Sequence, residues 1–336
     1  MTINYALLAT YLVSLILMIG LPIALAVFVT RRFKVSWWVV LAGVITFVAS
    51  QALKIPASYG LNALFQNGTI PTPPTAWIPF LNAIIAGLMA GFFEETARYI
   101  GFRILKKKAK PIRSAVGLGI GHGGMESVLL AVLGTGITLG TVLFYNAGAQ
   151  IAKGISTDQV SYTLAQIAQF WSAPWHFGLL PGVERVIALS SQILLSILVW
   201  KAVVNRQVLW FLLAILYHTA LDAIAVYLSN LNWGYWAVEG VLAIFLIANI
   251  YLIYHFWGEE TESEEEEGDE DEDDDEDGDD DDDDDEEDED YVDDDDDEED
   301  EDYVDDEDVE IEEELEMEEL DTLDTDEVES EKGLPK

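Results

Sequence analysis

Glu94 and Glu95 stand side by side in an apolar run, and Arg98 follows one helical turn later. Paired carboxylates with a nearby guanidinium can divide roles. One is held ionised by Arg98, and the other is left to exchange a proton. Two histidines extend the set. His122 precedes Glu126 by four residues, and His218 precedes Asp222 by four. On a helix that spacing puts each carboxylate on its imidazole's face, where it can orient the ring and fix the tautomer. Gln192 adds an amide in another apolar run. Glu and His with water suit hydrolysis without a covalent nucleophile. The carboxylate takes a proton from water while the histidines shuttle protons or donate to an oxyanion. A divalent metal such as zinc, with His122, Glu126, His218 and Asp222 as candidate ligands, would serve the same reaction. The residues leave open whether there is a metal or none.

Other hydrolytic chemistries lack their residues. The chain has no cysteine, which removes a thiol nucleophile, Cys-ligated metal and disulfides. His122 is followed by GGME, so there is no HExxH, and no GxSxG elbow occurs. Asp222 is the one aspartate in an apolar segment, which excludes an aspartyl dyad.

The elements that must carry these residues are membrane helices. Half of the 336 residues are hydrophobic, yet the formal net charge is −45. Both hold because the charge is segregated. Residues 1–257 contain seven of the 62 acidic residues and 15 of the 17 basic ones. The rest forms a polyanionic tail, 258–336. We read an all-α polytopic bundle followed by a disordered acidic tail. Seven apolar segments reach the length of about 20 residues that a span needs. They run about 5–29, 35–54, 79–104, 114–145, 181–204, 207–229 and 235–257. Six spans with one re-entrant segment is the alternative. The first segment lacks a basic start and a cleavage site, so it reads as a retained helix. The fourth is overlong and Gly-rich, which suggests a kink.

Between the spans, 55–78 contains TIPTPPTAW and reads as an extended Pro-rich loop. Thr157 to Trp171 reads as a surface helix ended by Pro174, with Trp171 and Trp175 in an interfacial belt. Basic residues follow the odd segments: Arg31, Arg32 and Lys34; Lys106, Lys107, Lys108, Lys110 and Arg113; Lys201 and Arg206. The positive-inside rule then puts the amino terminus outside and the tail in the cytoplasm of a cell-membrane protein. In the tail, EDEDYVDD occurs at 287–294 and 299–306. Ile311, Leu315, Met317, Leu320 and Leu323 interrupt the acids beyond, as scattered apolars or a short partner-binding helix.

Counting about 1.5 Å per residue from the basic ends places Glu94 and Glu95 roughly 14 Å deep, His122 roughly 12 Å, His218 roughly 16 Å and Gln192 roughly 14 Å. Four helices thus bring polar groups to one level. Polar groups at such depth are costly and usually functional. The plainer reading is an interhelical network that holds the bundle together. Glu184–Arg185 lies toward the other end and reads as a structural ion pair. His176 and His255 read as flanking residues.

The residues also carry a resemblance. EETARYIGFRILKK, GIGHGGMESVLL, Glu184–Arg185 and LYHTALDAIAVY, in this order over about 80–230, resemble the motifs of the YhfC-type membrane peptidases. That family is distantly similar to the glutamic intramembrane proteases of the CAAX-prenyl-protease and bacteriocin-immunity group. The resemblance implies a glutamate base, Glu94 or Glu95, with His122 as its partner and His218 and Asp222 on the oxyanion side. Arg98, Glu126 and Gln192 would support them. EETAR is one residue shorter than that group's EExxxR, which leaves the identity of the base open. Asp222 stands where the group has Asn, so it must be protonated, orient His218 or bind metal.

The expectation is an intramembrane endopeptidase cutting a membrane protein or lipid-linked peptide near the cytoplasmic leaflet, from a cavity open to that side. A proton relay, a carrier or a membrane scaffold is the alternative use of the same cluster. The tail would contact basic proteins or divalent cations, and its charge excludes nucleic acid. The topology is testable in this cysteine-free chain. An impermeant thiol reagent should fail to label Ser263→Cys on intact cells, and ready labelling would overturn the assigned orientation.

Overall fold

The computed structural model describes residues 2–105, 109–146 and 157–273. Among these, every regular element is helical. Helices α1 (Tyr5–Arg32), α2 (Trp37–Gln66), α3 (Ile78–Leu105) and α4 (Ile112–Leu130) come first. A π-helical turn, Ala131–Gly136, joins α4 to α5 (Ile137–Asn146). Then follow α6 (Thr157–Ser172), α7 (Leu180–Val204), α8 (Val208–Asn230) and α9 (Tyr235–Asp273). Seven of these runs are long and apolar enough to cross a membrane. The chain is a multi-pass membrane protein.

Local chemistry sets the ends. Asn4 caps α1 by accepting from the Leu7 N–H, and Ser36 caps α2 through Trp38. Arg31 and Arg32 close α1, where cations suit the helix dipole. The connections at Lys34, Arg206 and Asn232 turn sharply through left-handed backbone. The kink expected in the overlong fourth segment is the π-turn, a usual cause of such a break.

Helix α4 lies between α2 and α7, and its glycines decide how closely. A Cβ on Gly121 would come 2.0 Å from the Val40 carbonyl oxygen of α2, and one on Gly43 2.1 Å from that of Leu118. On the other flank a Cβ on Gly123 would meet Gln192 of α7 at 2.7 Å. Successive helical residues are about 100° apart. With Gly121 against α2 and Gly123 against α7, His122 must point into the gap between them. Helix α3 repeats the device: a Cβ on Gly87 would lie 2.3 Å from the Thr219 carbonyl oxygen of α8, and one on Gly91 2.8 Å from that of Ile215. Glu94, Glu95 and Arg98 follow on the next turns of α3, and Glu95 meets α8 at His218.

Near the basic turns the bundle is filled by apolar side chains. Phe102, Ile112, Leu194, Ile197, Val199 and Trp200 form its buried core, and Trp200 Nε1 donates to the Ala109 carbonyl at 2.7 Å. A smaller cluster joins Leu7, Val142, Ile167 and Trp171, seating α6 on α1 and α5.

Three expectations change. The Pro-rich loop is shorter than 55–78, because α2 runs through Pro56 to Gln66. Proline inside a membrane helix is tolerated when neighbours satisfy the freed groups. Trp171 is buried in the cluster just described, while Trp175 is exposed. The surface helix ends at Ser172, as expected to within a residue. Helix α9 continues past 257 to Asp273, since extending an established helix avoids the nucleation cost. Lys106–Lys108 and the tail beyond 273, with its repeats and apolar residues, lie outside the described residues.

Gly121→Ala should push α2 and α4 apart at a backbone-to-backbone contact. It should cost about 1–3 kcal/mol, read as a lowered melting temperature in detergent. An unchanged melting temperature would contradict this packing.

Candidate functional site

The α3 stripe delivers two carboxylates to different surroundings. Glu95 is fully buried, and its Oε1 accepts from Arg98 Nη1 and from His218 Nδ1, the latter at 2.6 Å. Glu94 is held from α2, which sequence reasoning missed. Its Oε1 accepts from Lys54 Nζ at 2.7 Å and Gln51 Nε2 at 3.2 Å. Its Oε2 faces His122 Nε2 at 3.3 Å and His218 Nε2 at 3.9 Å. Lys54 and Gln51 were visible as polar residues near the end of an apolar run. Reading the helix to stop before Pro56 hid their role.

The hydrogen-bond roles follow by elimination. The Thr46 hydroxyl donates to the Gly43 carbonyl at 2.8 Å. Its oxygen therefore accepts from His122 Nδ1, 3.0 Å away. Glu95 can only accept, so His218 Nδ1 also carries a proton. In the neutral rings both Nε2 atoms are then lone pairs, and both look toward Glu94 Oε2. Three acceptors facing one point call for positive charge between them, as a proton or a cation. Phe47, edge-on to His122 at 5.3 Å between centroids, closes the other side of that ring.

Two expected pairings are revised. Glu126 does not orient His122. It accepts from Arg185 Nη1 at 2.8 Å and Gln192 Nε2 at 2.6 Å, because α7 is nearer to it than the ring one turn back. Arg185 also donates to Glu184 at 2.6 Å. The Glu184–Arg185 pair is thus joined to the central network and does not stand apart from it. Gln192 passes the connection on, since its Oε1 accepts from Arg98 Nη2. Asp222 stays near its expected partner, with Oδ2 3.7 Å from His218 Nε2. The two flanking histidines stand away from the site: His176 accepts from Trp236 Nε1 at 2.9 Å, and His255 pairs with Glu259 at 3.2 Å.

A cleft of about 140 Å³ reaches this centre, lined by Lys54, Glu94, Glu126, Arg185, His218 and Asp222 among others. Its direction departs from expectation. From His218 the α8 lining continues through Leu221 and Asp222 to Ala225, and α7 contributes Glu184 and Arg185 from its first turns. Those residues lie toward the end of the bundle opposite the basic turns. The basic end is filled by the Trp200 core. The cavity therefore runs away from the side at which an opening was expected.

A divalent cation can be tested against these donors. Among the described residues no group of three or more His, Asp or Glu is already drawn together as a metal site. The chemistry nevertheless fits. Two imidazoles present Nε2 while their Nδ1–H groups are fixed by Thr46 and Glu95, the usual outer support of metal-binding histidines. The successive separations His122–Glu94, Glu94–His218 and His218–Asp222 are 3.3 Å, 3.9 Å and 3.7 Å, against about 3.3 Å for the edge of a zinc tetrahedron.

The model of the YhfC intramembrane metalloprotease family matches residues 17–245, which contain every residue of this centre. The uncharacterized membrane protein YhfC of Bacillus subtilis (strain 168) is 31% identical over 239 residues, covering 69% of this chain and 90% of that protein. No solved structure matches.

Lys54 is the lysine paired with Glu94, so its loss has a signed consequence. Lys54→Met should destabilise the protein by on the order of 3 kcal/mol, because it strands a buried carboxylate. Adding Glu94→Gln should return part of that loss. A double variant no more stable than Lys54→Met, measured by thermal melts in detergent, would contradict the pairing.

Proposed function

We propose that this chain, which belongs to the YhfC family, is an intramembrane peptidase whose centre is Glu94 with His122 and His218. One observation carries the reading: His122 Nε2 and His218 Nε2 converge on Glu94 Oε2, and Glu94 and His218 line the cleft. A metal ion would be held by His122, His218 and Glu94, and it would supply Lewis-acid polarisation of the scissile carbonyl and acidify a bound water. Asp222 borders the cleft beside His218, where its carboxylate would serve as a proton acceptor. Glu95 and Arg98 are fully buried and position His218. Lys54 and Gln51 fix the rotamer of Glu94.

The substrate class follows from the surroundings. The centre lies within membrane-spanning helices, so the cut bond belongs to a membrane protein or lipid-linked peptide. The cleft runs toward the end opposite the basic turns. With the basic loops cytoplasmic, it takes the substrate from the outer side of the cell membrane. The filled basic end speaks against a carrier, which needs access from both sides.

The test uses purified protein in liposomes with a panel of single-span peptides, read by mass spectrometry, alongside elemental analysis of bound metal. Wild type should cleave and hold about one divalent ion per chain. Glu94→Gln, His122→Ala and His218→Ala should each lower turnover by about 10²–10⁴-fold, and the two histidine variants should lose the metal. His255→Ala should change neither. Full cleavage by Glu94→Gln would refute the peptidase centre. Cleavage by metal-free wild type would remove the metal and leave Glu94 as the base.

A further inference from the structure

The cluster at the cleft mouth is bonded in one unbroken line to the ring of His218. Arg185 Nη1 donates to Glu126 Oε1 at 2.8 Å, and Gln192 Nε2 donates to Glu126 Oε2 at 2.6 Å. Gln192 Oε1 accepts from Arg98 Nη2, and Arg98 Nη1 donates to Glu95 Oε1. Glu95 Oε1 accepts from His218 Nδ1 at 2.6 Å. The line crosses four helices, α4, α7, α3 and α8. It ends on the nitrogen that decides which way the imidazole presents its lone pair.

We propose that Arg185 and Glu126 are positioning residues for His218, acting through Gln192, Arg98 and Glu95. This rests on the peptidase reading above. The amide of Gln192 is the reason the effect can travel. An amide is a donor at one end and an acceptor at the other, and the two ends look alike in shape. Arg98 needs the acceptor end, because a guanidinium cannot accept. Arg98 at one end and Glu126 at the other together hold the amide turned that way. Arg185 in turn aims Glu126. Without the mouth pair the NH₂ end of Gln192 has lost its anchor, and the side chain can leave Arg98. Arg98 then loses one of its two acceptors and is free to shift off Glu95. Glu95 loses its fixed orientation, and with it the hold on the His218 tautomer.

Four histidines make the ring readable. Nitrogen NMR of protein labelled at histidine should show His218 in a single Nδ1–H form in wild type. Glu126→Leu removes the acceptor. It should give His218 a mixed tautomer signal and lower kcat about tenfold with KM within twofold. Glu126→Gln keeps an acceptor oxygen facing Gln192 and should restore the single form and most of kcat. Gln192→Leu should reproduce Glu126→Leu. The Trp236 contact keeps the His176 signal as an internal check on folding in every variant. A folded Glu126→Leu whose His218 signal and kcat match wild type would overturn the proposal. Failure of the peptidase reading is distinguishable: no variant, wild type included, would cleave, while the nitrogen signals would still report the line.

Discussion

Ionised carboxylates in hydrocarbon must be matched by charge, and this chain places two of them on successive residues of α3. Successive residues diverge by about 100°, so one cation cannot serve both. Glu95 is matched from its own helix by Arg98, one turn on. Glu94 points elsewhere and is matched from α2, which brings Lys54 to within 2.7 Å. That requirement explains why α2 stays helical well beyond the length a span needs, through Pro56 and past Lys54. It also divides the labour: the internally matched glutamate is fixed and dry, and the externally matched one faces the cleft.

Close approach then turns charge into geometry. Backbone contacts at Gly43 and Gly121 lock α2 to α4, which seats His122 on Thr46. Backbone contacts at Gly87 and Gly91 lock α3 to α8, which seats His218 on Glu95. Each imidazole is therefore aimed by a helix pair whose spacing leaves no room for a methyl group. Side chains that must meet to within a few tenths of an ångström are carried by the least deformable contacts in the bundle.

Much of this was legible in the chain. Membrane-length apolar runs announce themselves, and the shared depth of Glu94, His122, Gln192 and His218 follows from counting residues to the basic ends. Partner choice was less legible. Spacing of four suggests that Glu126 serves His122, but spacing describes one helix alone. Arg185 and Gln192 reach Glu126 from α7, and a charged neighbour across the interface outweighs a neutral one on the same face. Thr46 gives no signal in sequence, since a threonine in an apolar helix commonly bonds its own backbone. The cleft direction was hidden too. Depth says how far a residue lies from an end, not which end is filled, and the filling here comes from Trp200 and its neighbours, scattered across distant segments.

Among the described residues, the cleft that reaches the centre has its mouth at the end opposite the basic turns. For a hydrolase this imposes an order of events. Each turnover consumes a water that must arrive by the same passage through which a polar cleavage fragment departs. A fragment that lingers beside Arg185 and Glu184 keeps the next water out. Such an enzyme would be throttled by its own product, and the charges at the mouth would set its pace as much as the groups that break the bond.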